Sequence, residues 1–197
     1  MSKTVEFFFD LGSPASYLAW TQLPRLRSEL GADVVLRPML LGGVFQATGN
    51  SSPVTVPAKA RYTLTDFQRY AMRYGVPLRF SEHFPINTLT LMRAAIGVQQ
   101  RQPERFEAWL GAMFKALWAD GRNLGDSQVV AAVLAEAGSE TNGFEALVSD
   151  PEVKAALKTA TEEAVSRGVF GAPTFFVDDE MFFGQDRLGF VEDKLRR

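Results

Sequence analysis

The stretch that decides the fold is FFFDLGSPASY, residues 7–17. Its run of bulky apolar residues followed by Asp-Leu-Gly predicts a strand that stops at a turn. Pro14 suits the first turn of a helix, where its missing N–H breaks no hydrogen bond, so Ser13 is predicted at the N-cap. A serine there caps the helix. It could also hold an anion such as a thiolate, because unpaired N–H groups and the positive end of the helix dipole lie beside it.

The residues around this stretch predict a βαβ unit. Thr4 to Asp10 is nearly continuous in apolar character, which is typical of a strand buried on both faces. The helix after the turn contains Pro24, which cannot donate to the carbonyl of Trp20, so a kink is expected there before the helix ends at Gly31. A second strand at residues 33–38 completes the unit.

The middle of the chain predicts helices and its end a β-hairpin. Residues 39–57 are rich in glycine and proline and predict a long irregular segment. Apolar periodicity and capping residues then predict a series of helices, at Ala58–Tyr74, Asn87–Arg101, Pro103–Trp118, Asp126–Ala137, Gly143–Val148 and from Pro151 onward. The strand period returns at Thr174–Val177 and Met181–Phe183, and Asp186–Arg196 predicts a last helix.

This order of elements resembles that of thioredoxin-like folds. The predicted fold class is α/β, a thioredoxin-like mixed sheet made from the N-terminal βαβ unit and a C-terminal ββα unit, with a helical insertion. We expect residues 1–40 and 151–197 to form the sheet domain, and residues 41–150 to form an inserted all-helical domain.

Composition excludes several classes of function. The net charge of −2 gives no electrostatic case for binding nucleic acid or an anionic membrane. No apolar run is long enough to span a bilayer and no signal segment is visible, so a cytoplasmic location is expected. The chain has no cysteine and one histidine, His83, which excludes a cysteine nucleophile and disfavours a metal site. A nucleophile used in catalysis is therefore expected to come from outside the chain.

Two turns near the end of the chain are suited to an amino-acid or peptide ligand. The Ala172–Pro173 bond precedes a strand and is a candidate cis peptide, which would turn the amide and carbonyl of Ala172 outward; an ordinary trans proline is the alternative. Gln185 and Asp186 open a helix whose N–H groups can hold a carboxylate, and the Asp186 side chain can hold an ammonium group. Alternatively, Asp186 only complements the helix dipole.

These motifs together resemble those of the 2-hydroxychromene-2-carboxylate isomerases and the kappa-class glutathione transferases. The likeness runs through nearly the full chain in the same order. It is carried by the segments Phe9–Ala19, Arg37–Gly43, Thr48–Asn50, Pro57–Lys59, Gly168–Pro173 and Phe183–Arg187.

The resemblance implies glutathione as cofactor, a small aromatic substrate and a possible homodimer. Ser13 matches the serine whose hydroxyl donates to the glutathione sulfur. The residues implied in binding glutathione are Ser13, Asn50, Lys59, Ala172, Pro173, Gln185 and Asp186, and those implied in binding substrate are Asn87, Tyr62 and Phe45, with Tyr70 a further candidate. Gln185 departs from the serine common in kappa enzymes.

Several of these residues also have ordinary structural readings. Asn50 could be a turn residue after Gly49, Lys59 a solvated surface residue and Asn87 a helix N-cap. The aromatic residues could be core packing.

The activity implied by the resemblance is a glutathione-dependent isomerisation. A thiolate stabilised by Ser13 would add reversibly to 2-hydroxychromene-2-carboxylate or a similar aromatic 2-oxo acid, allow rotation about the former double bond, and leave again. A kappa-like transferase and a non-catalytic glutathione-binding domain remain the alternatives.

Overall fold

The computed structural model describes residues 3–138 and 143–197. Four strands and ten α-helices are found there in the order β1 (Thr4–Phe9), α1 (Pro14–Trp20), α2 (Leu23–Leu30), β2 (Asp33–Pro38), α3 (Leu41–Thr48), α4 (Pro57–Tyr74), α5 (Leu89–Arg101), α6 (Pro103–Phe114), α7 (Ser127–Glu136), α8 (Phe144–Ser149), α9 (Pro151–Ser166), β3 (Thr174–Val177), β4 (Glu180–Phe183) and α10 (Leu188–Arg196). Short 3₁₀ turns cover Pro53–Thr55 and Gln185–Arg187, and a π-helical turn covers Lys115–Ala119.

The sheet is mixed, with strand order β2-β1-β3-β4. β1 pairs in parallel with β2 and antiparallel with β3, so it is a central strand. Its side chains are buried on both faces, as its apolar run predicts: Phe7 and Phe9 join the main hydrophobic core, whereas Phe8 packs in a smaller cluster on the other face with Phe176. The end of β1, which leads into Ser13, is therefore held rigidly.

Two sequence predictions about the first half of the chain need correction. The kinked helix is in fact two helices, because α1 ends at Trp20 and α2 starts at Leu23, with Pro24 in its first turn. Residues 39–57 are not irregular throughout, since α3 begins at Leu41 and includes both glycines of the Gly-Gly pair. The last helix, predicted at Asp186–Arg196, is also divided, because a 3₁₀ turn at Gln185–Arg187 precedes α10, which begins at Leu188.

The helical segment and the sheet share one hydrophobic core. The main core includes residues of β1 and β3 together with α5, α6 and α7, for example Phe9 and Phe114, whose ring centroids are 5.9 Å apart. The division into a sheet domain and an inserted domain at residues 40 and 150 stays a prediction. No helix among the described residues has both the length and the apolar character that crossing a membrane requires.

Candidate functional site

A cavity of about 290 Å³ opens where the end of β1 meets the end of the C-terminal hairpin. One wall comes from the turn before α1, another from α3, the following loop and α4, and a third from the residues on either side of the hairpin. Its lining includes six of the predicted site residues, Ser13, Phe45, Asn50, Ala172, Gln185 and Asp186. Residues that are 120 or more positions apart in the chain thus meet at one site.

Ser13 is the N-cap of α1 and lies on the wall of this cavity. Its Oγ accepts a hydrogen bond from the backbone N–H of Ser16 at 3.1 Å, the bond expected of a cap. The same Oγ donates to the carbonyl oxygen of Ala172, also at 3.1 Å. Since a hydroxyl has one proton and can rotate, Ser13 can turn this proton toward another acceptor in the cavity without losing its capping bond.

The turn before β3 faces Ser13. The Ala172–Pro173 bond is cis, as the sequence allowed. Ala172 lines the cavity, whereas Pro173 lies behind it and accepts a hydrogen bond from the N–H of Gly184 through its carbonyl oxygen at 2.9 Å. That bond fixes the turn after β4 against the turn before β3.

The turn after β4 brings Gln185 and Asp186 to the cavity. Gly184 has φ 98° and ψ 151°, a conformation that favours glycine, and a Cβ atom there would lie 2.4 Å from Asp186 Oδ1. Gln185 is buried, and its carbonyl oxygen accepts a hydrogen bond from the Tyr74 hydroxyl at 3.1 Å. Burial raises the pKa of Tyr74 to about 12, so this hydroxyl stays protonated at neutral pH and remains a donor.

The cavity is mostly apolar, with a few neutral donors and two carboxylates. Its apolar wall consists of Leu41, Phe45, Val54, Leu64, Phe67, Phe80, Phe84 and Phe183. Hydroxyl groups come from Ser51, Ser52 and Thr63, and the carboxylates from Asp66 and Asp186. Of the residues described, no lysine, arginine or histidine lines this cavity. Arg69 and Arg187, which pair with the two carboxylates, lie outside it.

Asn50 joins two loops of the site. Its Nδ2 donates to the carbonyl oxygen of Phe170 and its Oδ1 accepts from the N–H of Ser51, both at 2.8 Å. The structural reading of a turn residue after Gly49 therefore accounts for both ends of the side-chain amide. One N–H of that amide and one lone pair of its oxygen are still available to a ligand.

Besides Pro173, three predicted residues lie outside the lining of the cavity. Lys59 is exposed in the first turn of α4, and Tyr62 is 64% exposed with its ring 6.0 Å from the guanidinium of Arg69. Asn87 is exposed and its Oδ1 accepts from the N–H of Leu89 at 2.9 Å, one residue before the N-cap position itself. Their roles toward glutathione or substrate stay predictions. Tyr70, also absent from the lining, packs against Tyr74.

Asp10 lies behind the cavity lining and binds two residues that belong to it, and the sequence assigned it no functional role. Its side chain is 1% exposed. Oδ1 accepts from the N–H of Gly12 at 2.8 Å, and Oδ2 accepts from the N–H of Leu41 at 2.8 Å and from the hydroxyl of Thr88 at 3.1 Å. Burial raises the pKa of the Asp10 carboxyl, while these hydrogen bonds act in the opposite direction. The only sequence signal was an acidic residue directly after a buried strand.

Trp118 is a second residue that supports the site and that the sequence did not identify in this role. Its indole Nε1–H donates to the carbonyl oxygen of Leu11 at 2.8 Å, so the π-helical turn holds the loop that leads to Ser13. The same indole packs edge-on against Phe80 and Phe84, both of which line the cavity. A bond between residues 107 positions apart leaves no local pattern in the sequence.

The residues at this site fit glutathione. A hydroxyl donor at Ser13 suits a thiolate, because a hydrogen bond to the charged form favours it. The Ala172 backbone beside it suits a peptide group, and the Asp186 carboxylate with the N–H groups of a helix start suits an α-amino acid. No group of three or more acidic, histidine or cysteine side chains suited to a metal ion occurs in residues 3–138 and 143–197.

The whole chain is similar to proteins of known kind. Residues 4–196 match the family model described as a DSBA-like thioredoxin domain. The chain is 32% identical over 197 residues to a 2-hydroxychromene-2-carboxylate isomerase of Sphingobium xenophagum, with 99% of both chains covered. It is 31% identical over 198 residues to the kappa 1 glutathione S-transferase of Rattus norvegicus, covering 94% of this chain and 88% of that one.

A solved structure of a 2-hydroxychromene-2-carboxylate isomerase gives a TM-score of 0.87 at 31% identity, covering 98% of this chain and 95% of that one. The predicted thioredoxin-like α/β fold class is confirmed.

Proposed function

The chain belongs to the DsbA-like thioredoxin-domain family, in the group of 2-hydroxychromene-2-carboxylate isomerases and kappa-class glutathione transferases, and from that premise we propose that it is a glutathione-dependent isomerase. Its relatives support isomerase or transferase activity with glutathione involved. The isomerase is favoured because the isomerase of Sphingobium xenophagum matches this chain over 99% of both lengths.

One observation carries the proposal: the Ser13 hydroxyl lies 3.1 Å from the Ala172 carbonyl oxygen on the wall of a cavity, in a chain that has no cysteine. A thioredoxin-like protein that works without a thiol of its own needs one from a ligand. Ser13 supplies a proton donor where that thiol would be held, and Ala172 supplies backbone groups to orient the residue that carries it.

Bound glutathione would supply the nucleophilic thiolate that adds reversibly to a conjugated carbonyl compound. The chain's own residues bind and orient it: Ser13 donates to the sulfur, Ala172 pairs with the cysteinyl backbone, and Gln185 and Asp186 hold the γ-glutamyl end. Asn50 offers one further donor and acceptor beside them. Lys59 would reach the site only if its exposed side chain bends toward it.

The apolar wall formed by Phe45, Phe67, Phe80 and Phe84 suits a planar aromatic substrate. We take 2-hydroxychromene-2-carboxylate, or a similar aromatic 2-oxo acid, as the substrate. Because no cation lines the cavity within the described residues, its carboxylate would be bound by neutral donors, with the hydroxyl groups of Ser51, Ser52 and Thr63 as the candidates.

The same lack of a lining cation favours one second candidate, a glutathione transferase that acts on an uncharged electrophile. The two candidates use the same thiolate and differ in whether it leaves again. Isomerisation conserves the mass of the substrate, whereas conjugation adds that of glutathione.

The test is turnover of 2-hydroxychromene-2-carboxylate, followed by absorbance and by product mass, with and without glutathione. The proposal expects a mass-conserving reaction that requires glutathione. A glutathione adduct as the product would establish the transferase. Tight glutathione binding in calorimetry without turnover of acids or neutral electrophiles would indicate a binding domain instead.

Two further predictions accompany this proposal. A cytosolic location follows from the need for reduced glutathione, which that compartment maintains. The homodimer implied by the resemblance can be tested by analytical ultracentrifugation.

A further inference from the structure

Asp10 is a buried acid whose hydrogen bonds go to both sides of the cavity. Gly12, which its Oδ1 binds, belongs to the turn that carries Ser13, and Leu41, which its Oδ2 binds, is the first residue of α3, the helix that carries Phe45. Both Gly12 and Leu41 line the cavity. We propose that Asp10 is a positioning residue, whose carboxylate fixes the turn that carries Ser13 relative to the helix that forms the substrate wall.

The arrangement is that of an ionised carboxylate used as a rigid link. The two backbone partners are N–H donors and the third, the Thr88 hydroxyl, can donate as well, so both carboxylate oxygens act as acceptors. In the described residues, no lysine, arginine or histidine forms a hydrogen bond or ion pair with Asp10. Bonds to a charged acceptor are stronger and shorter than neutral ones, which makes them suited to holding two backbones at a fixed separation.

The surroundings leave this link little room to move. A Cβ atom at Gly12 would lie 2.7 Å from the Cγ2 atom of Thr88, so the turn packs directly on the residue before α5. The backbone carbonyl of Asp10 also accepts from the N–H of Ser13 at 3.0 Å. A shift of the Asp10 carboxylate therefore moves the Ser13 turn and the start of α3 together.

The link also explains why α3 forms at all. Its N-cap residue, Leu40, has no side-chain oxygen, and glycines at the second and third positions disfavour a helix. The Asp10 carboxylate takes the place of a capping side chain from 31 residues away. Without it, we expect α3, and the substrate wall with it, to loosen.

The consequence for chemistry rests on the proposed glutathione-dependent function. If Asp10 positions the two walls, its loss should change how the substrate is presented to Ser13 more than it changes glutathione binding, because Ala172, Gln185 and Asp186 have no hydrogen bond with it. The expected result is a lower kcat with nearly unchanged affinity for glutathione.

The experiment compares Asp10→Asn with Thr88→Val as a matched control. Asparagine keeps the shape of the side chain but places an amide N–H₂ where an acceptor is needed, so at least one backbone bond is lost. Thr88→Val removes only the hydrogen bond that the Thr88 hydroxyl, just before α5, donates to Asp10. It leaves the bonds from Asp10 to Gly12 and Leu41 in place, so the two walls stay linked. The first readout is hydrogen–deuterium exchange of the full chain at the peptides that contain Gly12 and Leu41, which needs no activity.

We expect Asp10→Asn to speed exchange at Gly12 or Leu41 by about tenfold or more, since a bond to a charged acceptor is lost, while Thr88→Val leaves both near wild type. With glutathione present, Asp10→Asn should lower kcat by a similar factor and Thr88→Val should not. Unchanged exchange at both amides, or the same changes in the two variants, would overturn the proposal.

If Asp10→Asn does not fold, Asp10→Glu gives the same decision. It keeps the charge but displaces the carboxylate, and the proposal expects faster exchange at Gly12 or Leu41 together with a lowered kcat, whereas wild-type behaviour overturns it. A wild-type chain that binds no glutathione contradicts the proposed function and not this inference, because the exchange comparison is read without glutathione.

Discussion

Replacing Ser13 by alanine should raise the pKa of the glutathione thiol in the complex by about one to two units. The hydrogen bond that Ser13 would give to the thiolate is of the charge-assisted kind, worth about 1.5–3 kcal/mol. One pKa unit corresponds to about 1.36 kcal/mol, which gives that shift. At a pH below both thiol pKa values, the thiolate fraction, and with it the rate, should therefore fall by roughly tenfold to a hundredfold.

Ser13→Ala should also lower the free energy of unfolding. Ser13 Oγ accepts from the N–H of Ser16 at 3.1 Å, and loss of a serine cap costs about 1 kcal/mol. The carbonyl of Ala172 also loses its donor. Denaturant unfolding should show a loss of about 1–2 kcal/mol, which leaves the protein folded while the thiol is titrated.

Ser16→Ala is the matched control, one turn along the same helix. The Ser16 hydroxyl is buried and has no hydrogen-bond partner among the described residues. Removing an unpaired buried hydroxyl should leave stability unchanged or raise it by up to about 1 kcal/mol. Its backbone N–H still caps through Ser13, so the thiol pKa should not move.

The assay is the ultraviolet absorbance of the thiolate of protein-bound glutathione as a function of pH, for the wild type and both variants. The rate of Ser13→Ala should recover toward the wild-type rate at a pH above the raised thiol pKa. A Ser13→Ala variant that binds glutathione with an unchanged thiol pKa would refute the assigned role. So would an equal shift in Ser16→Ala.

Two further predictions concern residues around the site and the sheet. Tyr74→Phe removes the hydroxyl that donates to Gln185 at 3.1 Å, so the KM for glutathione should rise about fivefold with kcat unchanged; steady-state kinetics test this, and an unchanged KM would contradict it. Arg167 lowers the pKa of Glu6 through a 2.6 Å hydrogen bond, a contribution present above the usual Glu pKa and lost as pH falls through the folded value. Arg167→Met should therefore cost about 1–2 kcal/mol at neutral pH, and denaturation at a series of pH values should show that deficit shrinking below about pH 4.

Local sequence predicts those elements whose causes are local. β1 is buried on both faces because Phe7, Phe8 and Phe9 are consecutive apolar residues, and this run predicts that burial. Asp150 caps α9 with its side chain and Gly31 ends α2 in a left-handed conformation, both as the residues indicate. Each of these causes lies within a few residues of its effect.

The sequence predictions that were wrong concern elements whose causes lie at distant positions in the chain. Residues 41–48 form a helix because a carboxylate from residue 10 caps them, and a reading of Leu-Gly-Gly on its own cannot include that bond. Similarly, Phe67 lines the cavity and Tyr62 does not because of the way α4 is rotated about its axis. That rotation is set by packing against the rest of the protein. The family motifs led to six of the residues that line the cavity, but they could not say which side chains face inward.

The bonds already made by Ser13 determine how little the site must change to hold a thiol. Its hydroxyl donates a hydrogen bond to the carbonyl oxygen of Ala172, and its oxygen accepts one from the backbone N–H of Ser16. A thiolate would accept the hydrogen bond of the Ser13 hydroxyl, while the Ala172 carbonyl would be left to accept from a peptide N–H of the same ligand, so one hydrogen bond is exchanged for two. Neither exchange requires the backbone to move, because only the hydroxyl proton turns, and Asp10, Trp118 and the capping bond hold the turn in place. The backbone of Ser13 is thus held in place, and only its hydroxyl proton is free to turn. A fixed donor of this kind is what lowers the pKa of a thiol, here one that the ligand brings because the chain has none.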